Sequence, residues 1–566
     1  MVILRLVCAA IALALCVSSA KAEPFEQLRA AYAARDAHAA ALAYAPDAQV
    51  IYRYAEVPEE RHVGRAAIEA SFAAFFSQLD PDLAPDLNFR IVQGDGNRRT
   101  GFYRLRLGAA TTAYGAFDVE LSPDGLFARD VSTDATIIDF EDAMGAVVLG
   151  AADETLDRGY YGRLAGRYQR TAACDLVVTR SFVRLFVRDT CTNTWRGLAR
   201  ESGLHWTAGL RVLPDQAAAG YVFAGDDAGR SARLTMTAES VELTAARIER
   251  YGIEEISFLA DDGVRLWGDL YIPVGPLQAR PAIVLVHGSG PQDRNGYASI
   301  IAVLADALAA SGRVVLTYDK RGVGASGGDW SRASFEVLAD DARAAMAYLA
   351  GRPEVDRTWI GLGGSSQAGW IAATAVARGA APADVFLLGA AGAATTVAEQ
   401  NLYNTEVRMR CAGLSEPAIS LALDQQRAFF AFLRDRRQGA VLDELTQLAG
   451  ADPALADWLM PDSRVNLSAG NWFSVLNIDF DPLPVWQGYR GHLAVIFSDR
   501  DDSTPTSLAK SRISGRVQPT ELLDSQHLGL VTQDICRGEL TDVEKFNPAL
   551  FQHLDAFARR SPAAKP

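Results

Sequence analysis

The 566-residue sequence predicts an α/β protein. Its main part, over about 251–566, reads as a doubly wound, mostly parallel sheet with a helical lid inserted at 393–485. Two smaller parts precede it, a small α+β part at 23–147 and an antiparallel β part at 148–250. Three observations carry this reading. After residue 252, buried-strand runs alternate with helical stretches. The turns that follow several of those strands hold residue types that do chemistry. Before 252 there are first helices and a strand meander, then short strands only. The chain is too long for one core, and its 49% hydrophobic and 22% charged residues are ordinary globular composition.

The opening "MVILRLVCAAIALALCVSSAKA" has a basic residue at Arg5, an apolar run and an Ala20-Lys21-Ala22 cleavage pattern. Residues 1–22 are therefore expected to be an export signal, with a mature protein in the periplasm or outside the cell. Its apolar run is short for a membrane span, and no later run is long enough. A formal net charge of −14 disfavours nucleic acid and anionic lipid surfaces as partners. Cys174, Cys191, Cys411 and Cys536 remain after the signal, an even number suited to an oxidising compartment. Cys174 and Cys191 bracket a pair of strand-like runs and could close a hairpin-sized disulfide. Cys411 with Cys536 would be a longer tie, and spacing alone does not settle the pairing.

"FEQLRAAYAARDAHAAALA" (25–43) and "GRAAIEASFAAFFSQL" (64–79) carry helical periodicity, and alternating stretches follow them. No acid/base cluster stands out in this part, so an accessory role is expected. From about 150 to 250, short strands at regular intervals predict an antiparallel sandwich or small barrel. Beyond 252, "AIVLVHG", "RVVLTYD", "WIGLGG", "VFLLGA" and "HLAVIFSD" are buried-strand runs, mostly separated by helices. This is the pattern of a parallel sheet with reactive groups at its carboxyl edge. The hundred or so mostly helical residues between the last two runs are too many for a loop.

"GLGGSSQAGW" (361–370) reads as a sharp strand-to-helix turn presenting a nucleophilic serine. The spacing departs from G-x-S-x-G, because Ala368 stands where glycine is expected and Gly369 comes one place late. Ser366 is preferred to Ser365. Gly364 and Ala368 flank it with small side chains, whereas Ser365 would have the bulky Gln367 ahead of it. "VLVHGSGPQDRN" follows an earlier strand and supplies a glycine-rich loop. The backbone N–H groups of Ser289 and Gln367 are the expected oxyanion donors. His287 is read as shaping that loop and not as the base. "IFSDRDDSTP" offers Asp499, Asp501 and Asp502, of which Asp501 is preferred for its place beyond the strand and before the turn into Pro505. "LLDSQHLGL" places His527 in a polar loop after a strand, as a base that could take the serine proton while Asp501 fixes its tautomer.

The order Ser366, Asp501, His527 along alternating strands resembles the alpha/beta-hydrolase superfamily over about 252–560, especially bacterial esterases with an HGSGPxDRD-like oxyanion segment. The matching stretches are "HGSGPQDRN", "YDKRGVGASGG", "GLGGSSQAG", "DFDPLP" and "SDRDDSTP". The resemblance implies Ser366, Asp501 and His527 as a triad, with Asp319, Arg321 and Ser326 as loop formers. Asn295 stands where an aspartate is common. The first part resembles, more distantly, the SnoaL-like (nuclear-transport-factor-like) domains. A serine esterase acting through an acyl-enzyme on small-molecule esters is expected, with Trp458, Trp472, Phe473 and Phe480 of the lid as apolar walls. A serine peptidase of aminopeptidase or dipeptidyl-peptidase type on the same fold is the alternative. A further alternative is an exported binding protein carrying a decayed hydrolase. "GVGASGG" lacks the lysine of a phosphate loop and no Cys/His cluster has zinc spacing, so neither cofactor nor metal is expected.

Overall fold

The computed structural model describes residues 24–53, 60–79, 85–95, 97–107, 111–134, 162–181, 184–202, 205–208, 219–225, 231–238, 241–276, 278–455, 458–463, 477–536 and 544–560. The expected signal segment, Trp472 and Phe473 lie outside these residues. The chain divides into two compact units, 1–147 and 148–566.

Among the described residues, the first unit combines three helices with a six-stranded sheet. Its strands are β1 (Tyr44–Arg53), β2 (Glu60–Val63), β3 (Pro85–Asp95), β4 (Arg98–Leu107), β5 (Thr111–Leu121) and β6 (Phe127–Asp134), in the order β2-β1-β6-β5-β4-β3. The helix expected across 25–43 is two helices, Pro24–Ala34 and Ala37–Leu42. Arg35 takes a left-handed φ of 52°, and the Asp36 carboxylate caps the second helix by accepting the Ala39 N–H. Phe25, Leu28, Phe72 and Phe76 on the helices bury against Leu87, Phe117 and Phe127 on the sheet.

The second unit begins with eight antiparallel strands: β7 (Gly166–Gln169), β8 (Asp175–Ser181), β9 (Arg184–Asp189), β10 (Thr194–Ser202), β11 (His205–Ala208), β12 (Ala219–Gly225), β13 (Ser231–Ala238) and β14 (Val241–Ile248). Each pairs with the next, and β14 returns to β7, so the strands close into a barrel and leave almost no free edge. The interior is filled by inward side chains including Tyr168, Leu176, Leu185, Tyr221 and Phe223. A disulfide joins Cys174 to Cys191 across the β8–β9 hairpin, with Cα atoms 5.3 Å apart.

The remainder is an eight-stranded, mostly parallel sheet built from β15 (Tyr251–Leu259), β16 (Arg265–Pro273), β17 (Arg280–Val286), β18 (Val314–Tyr318), β19 (Val355–Ser365), β20 (Asp384–Leu388), β21 (His492–Ser498) and β22 (Thr520–Leu522). Their order is β15-β16-β18-β17-β19-β20-β21-β22. Only β15 and β16 run antiparallel to their neighbours. β17 lies between β18 and β19, so the chain leaves it to one side and later returns to the other. Crevices at the carboxyl ends of strands open at such reversals. Between β20 and β21 the inserted segment holds helices Val397–Cys411, Glu416–Arg434 and Gly439–Gly450.

Barrel and sheet are joined through a buried carboxylate. Asp306 lies in the helix Ile300–Ala310, 1% exposed. It accepts hydrogen bonds from Arg167 (2.6 and 2.9 Å), from Arg188 (3.3 Å) and from the Tyr251 hydroxyl (2.7 Å). Burial pushes the Asp306 carboxyl up, but the two barrel guanidiniums outweigh it and hold the group below the ordinary carboxylate range. A second join is β23 (Glu544–Lys545), a two-residue strand from the end of the chain that pairs with β10. Beside it Trp195 stacks on Phe186 at 4.6 Å and meets Phe546 at 5.6 Å.

Asp306→Asn is expected to destabilise this unit by about 3–5 kcal/mol, because it takes the carboxylate from the buried Arg188 and leaves Arg167 only Asp175. Urea midpoints of the two proteins check this. The wild-type advantage should be full above the ordinary carboxylate range and shrink as pH falls through the lowered folded value of Asp306.

Candidate active site

Ser366 directly follows β19 and begins the turn into the helix Ala368–Ala377. It holds a φ of 56°, the left-handed region that a non-glycine residue adopts only when its surroundings enforce it. The enforcement is visible. The Ser366 N–H donates to the Leu388 carbonyl (3.0 Å), and Gly364, at φ 155°, passes so close to the β17 carbonyl of Val286 that a side chain there would collide. A Cβ on Gly364 would also lie 2.6 Å from the Ala368 methyl. The turn therefore takes a methyl at 368, provided 364 has none. The displaced Gly369 serves a different contact, since a side chain there would press on the Gly392 backbone. Ser365 is buried inside the strand, whereas Ser366 is half-buried at its end.

Asp501 follows β21 and is buried. Its Oδ1 accepts the N–H groups of Ser503 (2.8 Å) and Thr504 (2.7 Å), and its two oxygens lie 3.0 and 2.9 Å from His527 Nδ1. Burial pushes the imidazole pKa down, but the Asp501 charge and hydrogen bond more than offset this, and the net shift is upward. Asp499 and Asp502 have other partners. Asp499 accepts the Ser525 N–H at 3.0 Å, and Asp502 receives Arg408 Nε at 3.3 Å.

The end of β20 runs between these groups. Its Leu388 carbonyl holds Ser366, and a Cβ on the next residue, Gly389, would strike the His527 carbonyl and lie 3.2 Å from Nδ1. Thr504 Oγ1 donates to the Gly389 carbonyl at 2.9 Å. Ser366, Asp501 and His527 thus follow the carboxyl ends of β19, β21 and β22, with the end of β20 touching both the serine and the histidine segments. The structure joins Asp501 to His527 by hydrogen bond, but among the described residues Ser366 Oγ makes none.

The loop after β17 packs over the serine, with a Cβ on Gly288 lying 3.5 Å from Ser366 Cβ. Gln292 staples this loop, accepting from the Gly288 N–H and donating to the Ser289 carbonyl. Among the described residues the N–H groups of Ser289 and Gln367 donate no hydrogen bond. His287 is 1% exposed, its Nε2 bonds to the Tyr318 carbonyl, and burial drives its pKa to about 3, so the ring stays neutral. Asn295 donates from both its N–H and its Nδ2 to Asp293 at 2.9 Å, where a second carboxylate would repel. Asp319 receives Arg294 and the Ala325 N–H, while Ser326 Oγ donates to the Asp319 carbonyl and Arg321 pairs with Asp341.

Lys320 was not singled out from the sequence. Its Nζ is buried and donates to the carbonyls of Gly288 (2.6 Å) and Gly290 (2.7 Å) and to Gln367 Oε1 (3.2 Å). One ammonium thus clasps the glycine loop and the residue after Ser366. Burial lowers its pKa to about 7. The only signal in the sequence is a lysine two places beyond a mostly apolar strand.

The helix Val397–Cys411 grips the acid loop. Tyr403 donates to the Asp501 carbonyl (2.8 Å), Asn404 to that of Asp502 (2.9 Å) and Gln400 to that of Ser503 (2.8 Å). Its last residue, Cys411, is disulfide-bonded to Cys536, beyond the His527 loop. Phe480 packs against the main core and Trp458 is half-buried, so Phe480 is part of the packing. Among the described residues no helix is long and apolar enough to cross a membrane, and no cluster of metal-ligating side chains occurs.

A family profile described as serine aminopeptidase, S33, matches residues 278–439. Two uncharacterized Mycobacterium tuberculosis proteins, from strains H37Rv and CDC 1551 / Oshkosh, are each 39% identical over 105 residues, which is 19% of this chain. The match spans about a third (34%) of those relatives' length. Among solved structures, the alpha/beta hydrolase GrgF from Penicillium sp. sh18 is 19% identical with a TM-score of 0.34, covering 55% of this chain and 98% of its own. Est1E from Butyrivibrio proteoclasticus, solved with ferulic acid, is 13% identical with a TM-score of 0.34, covering 53% and 97%. The strand order and the S33 match over part of this sheet give the second unit's main sheet the alpha/beta-hydrolase fold.

Proposed function

We propose that the protein is a serine hydrolase that cleaves carboxylic esters of small molecules through an acyl-enzyme. The observation that carries the reading is the strained Ser366 turn beside the Asp501–His527 pair, under a loop with undonated N–H groups. His527 Nε2 takes the Ser366 proton as Oγ attacks the ester carbonyl. Asp501 holds Nδ1–H and stabilises the imidazolium. Charge on the tetrahedral oxygen is met by the N–H groups of Ser289 and Gln367. The imidazolium then protonates the leaving alcohol, and water repeats the cycle to release the acid. A Ser366–His527 hydrogen bond is expected to form with substrate bound, as catalytic bonds commonly tighten in the reacting complex. Both disulfides support an exported protein.

The S33 match favours a second reading, a peptidase acting on aminoacyl amides. Comparing p-nitrophenyl butyrate with aminoacyl p-nitroanilides separates the two: ester turnover should exceed amide turnover, and the reverse order would replace the esterase with the peptidase. Ser366→Ala should lower ester kcat by at least about 10⁴-fold, and undiminished turnover would remove the assignment.

Because His527 must be neutral to accept the proton and Asp501 raises its pKa, the acid limb of kcat/KM should have its midpoint above about 6.5. In Asp501→Asn the limb should move to lower pH while kcat falls by roughly 10⁴-fold, as pH-rate profiles would read. Lys320→Met should lower kcat by roughly 10²-fold with KM changed far less, because the oxyanion donors lose their alignment.

A further inference from the structure

The acid loop carries a residue whose local sequence fixes where its side chain points. Thr504 stands between Ser503 and Pro505, and the proline ring confines the residue before it largely to extended backbone. The branched Cβ leaves few rotamers, so the hydroxyl has little freedom once the backbone is set. The backbone is set at both ends. The Thr504 N–H donates to Asp501 Oδ1 at 2.7 Å, and its carbonyl accepts the Thr506 N–H at 2.7 Å. The whole residue is buried, at 0% exposure.

The hydroxyl reaches two other segments. Thr504 Oγ1 donates to the Gly389 carbonyl at 2.9 Å and lies 3.4 Å from His527 Nδ1. A hydroxyl has one proton and two lone pairs. A carbonyl only accepts, so the proton is committed to Gly389 and a lone pair is left for the imidazole. Nδ1 is therefore the donor toward Thr504, as it is toward the Asp501 carboxylate. With Nδ1–H facing acceptors alone, Nε2 carries no hydrogen and is free to take one. Gly389 directly follows Leu388, whose carbonyl accepts the Ser366 N–H at 3.0 Å. Its own N–H donates to the Ile496 carbonyl of β21 at 2.9 Å, which fixes it in the sheet. Nucleophile and acid–base pair thus hang from consecutive carbonyls at the end of β20. Among the described residues the Asp501 carboxylate bonds only within its own loop and to His527, so it does not make this connection.

We infer that Thr504 is a positioning residue of this site, tying the Asp501–His527 pair to the strand end that holds Ser366 and keeping the imidazole hydrogen on Nδ1. The inference rests on the serine-hydrolase reading and adds to it a group that touches neither substrate nor the reacting oxygen. Asp501 supplies the charge that stabilises the imidazolium, and Thr504 supplies the fixed point. Small displacements of a catalytic group slow the reaction steeply, so a fixed point matters to the rate. A lone pair on Nδ1–H also favours the imidazolium, the stronger donor, over the neutral ring. The other charges bearing on the ring are Asp502, in the same loop, and Arg408 of the helix Val397–Cys411.

The test compares Thr504→Val, which exchanges the hydroxyl for a methyl, with Thr504→Ser, which keeps it, both in the full chain. With p-nitrophenyl butyrate, Thr504→Val should lower kcat by about tenfold or more with KM changed less than about twofold. Thr504→Ser should recover most of that loss. An NMR titration of the histidine rings, with His527→Gln to assign the signal, needs no substrate. In Thr504→Val the His527 midpoint should fall by about 0.3–0.5 of a pH unit, a fraction of one ordinary hydrogen bond. In Thr504→Ser it should stay at the wild-type value, and the acid limb of kcat/KM should follow it in both variants. If Thr504→Val does not fold, Thr504→Ala removes the hydroxyl with the same expectations. Wild-type kcat and midpoint in the folded variant, or equal losses in the valine and serine variants with an unmoved midpoint, would overturn the inference. A wild-type protein without ester turnover would remove the esterase reading instead, and the titration would still decide whether Thr504 bonds the ring.

Discussion

The second unit depends on one buried carboxylate held between two buried guanidiniums. Asp306 lies on the helix that leaves the glycine loop, Arg167 and Arg188 project from the barrel, and Tyr251 begins the sheet. Charges so deeply buried are tolerable only when every partner is present, so barrel and sheet each complete a site that the other leaves costly. The loop that covers Ser366 is thereby anchored at its far end by a domain that contributes no residue to the reacting group.

A similar economy governs the near end of that loop. Glycine backbone must approach the serine, and backbone without side chains has little packing to hold it. Lys320 supplies the grip with one ammonium against three oxygens, and Gln292 closes the turn from inside. On the opposite side, the helix Val397–Cys411 holds the acid loop at Gln400, Tyr403 and Asn404, spaced to share one helix face. The first helix of the inserted segment is thus part of the frame, fastened at its end to Cys536.

Much of this was legible in the sequence for a physical reason. Parallel strands buried on both faces read as apolar runs, and reactive residues collect in the turns after them, so Ser366, Asp501 and His527 could be picked out by position. What escaped were pairings between distant segments. Lys320 looks like part of a loop and Asp306 like a lone polar residue in an apolar helix, and nothing local marks their partners. Closure of the barrel through β14 and β7 depends likewise on strand partnership, which periodicity does not encode. The break at Arg35 escaped for the opposite reason: an alanine-rich helix pattern continues across it, and one capping aspartate decides the matter.

The two-residue strand β23 has a consequence for cutting the chain in two. It comes from the far side of the His527 loop, yet it pairs with the barrel at Thr194 and Trp195, and Phe546 beside it covers the Trp195 ring. Recombination at a point near residue 250 would leave one product with a bare tryptophan and an unpaired edge, and the other with an unsupported histidine turn. Each module therefore completes an edge that the other leaves open, however distinct their architectures.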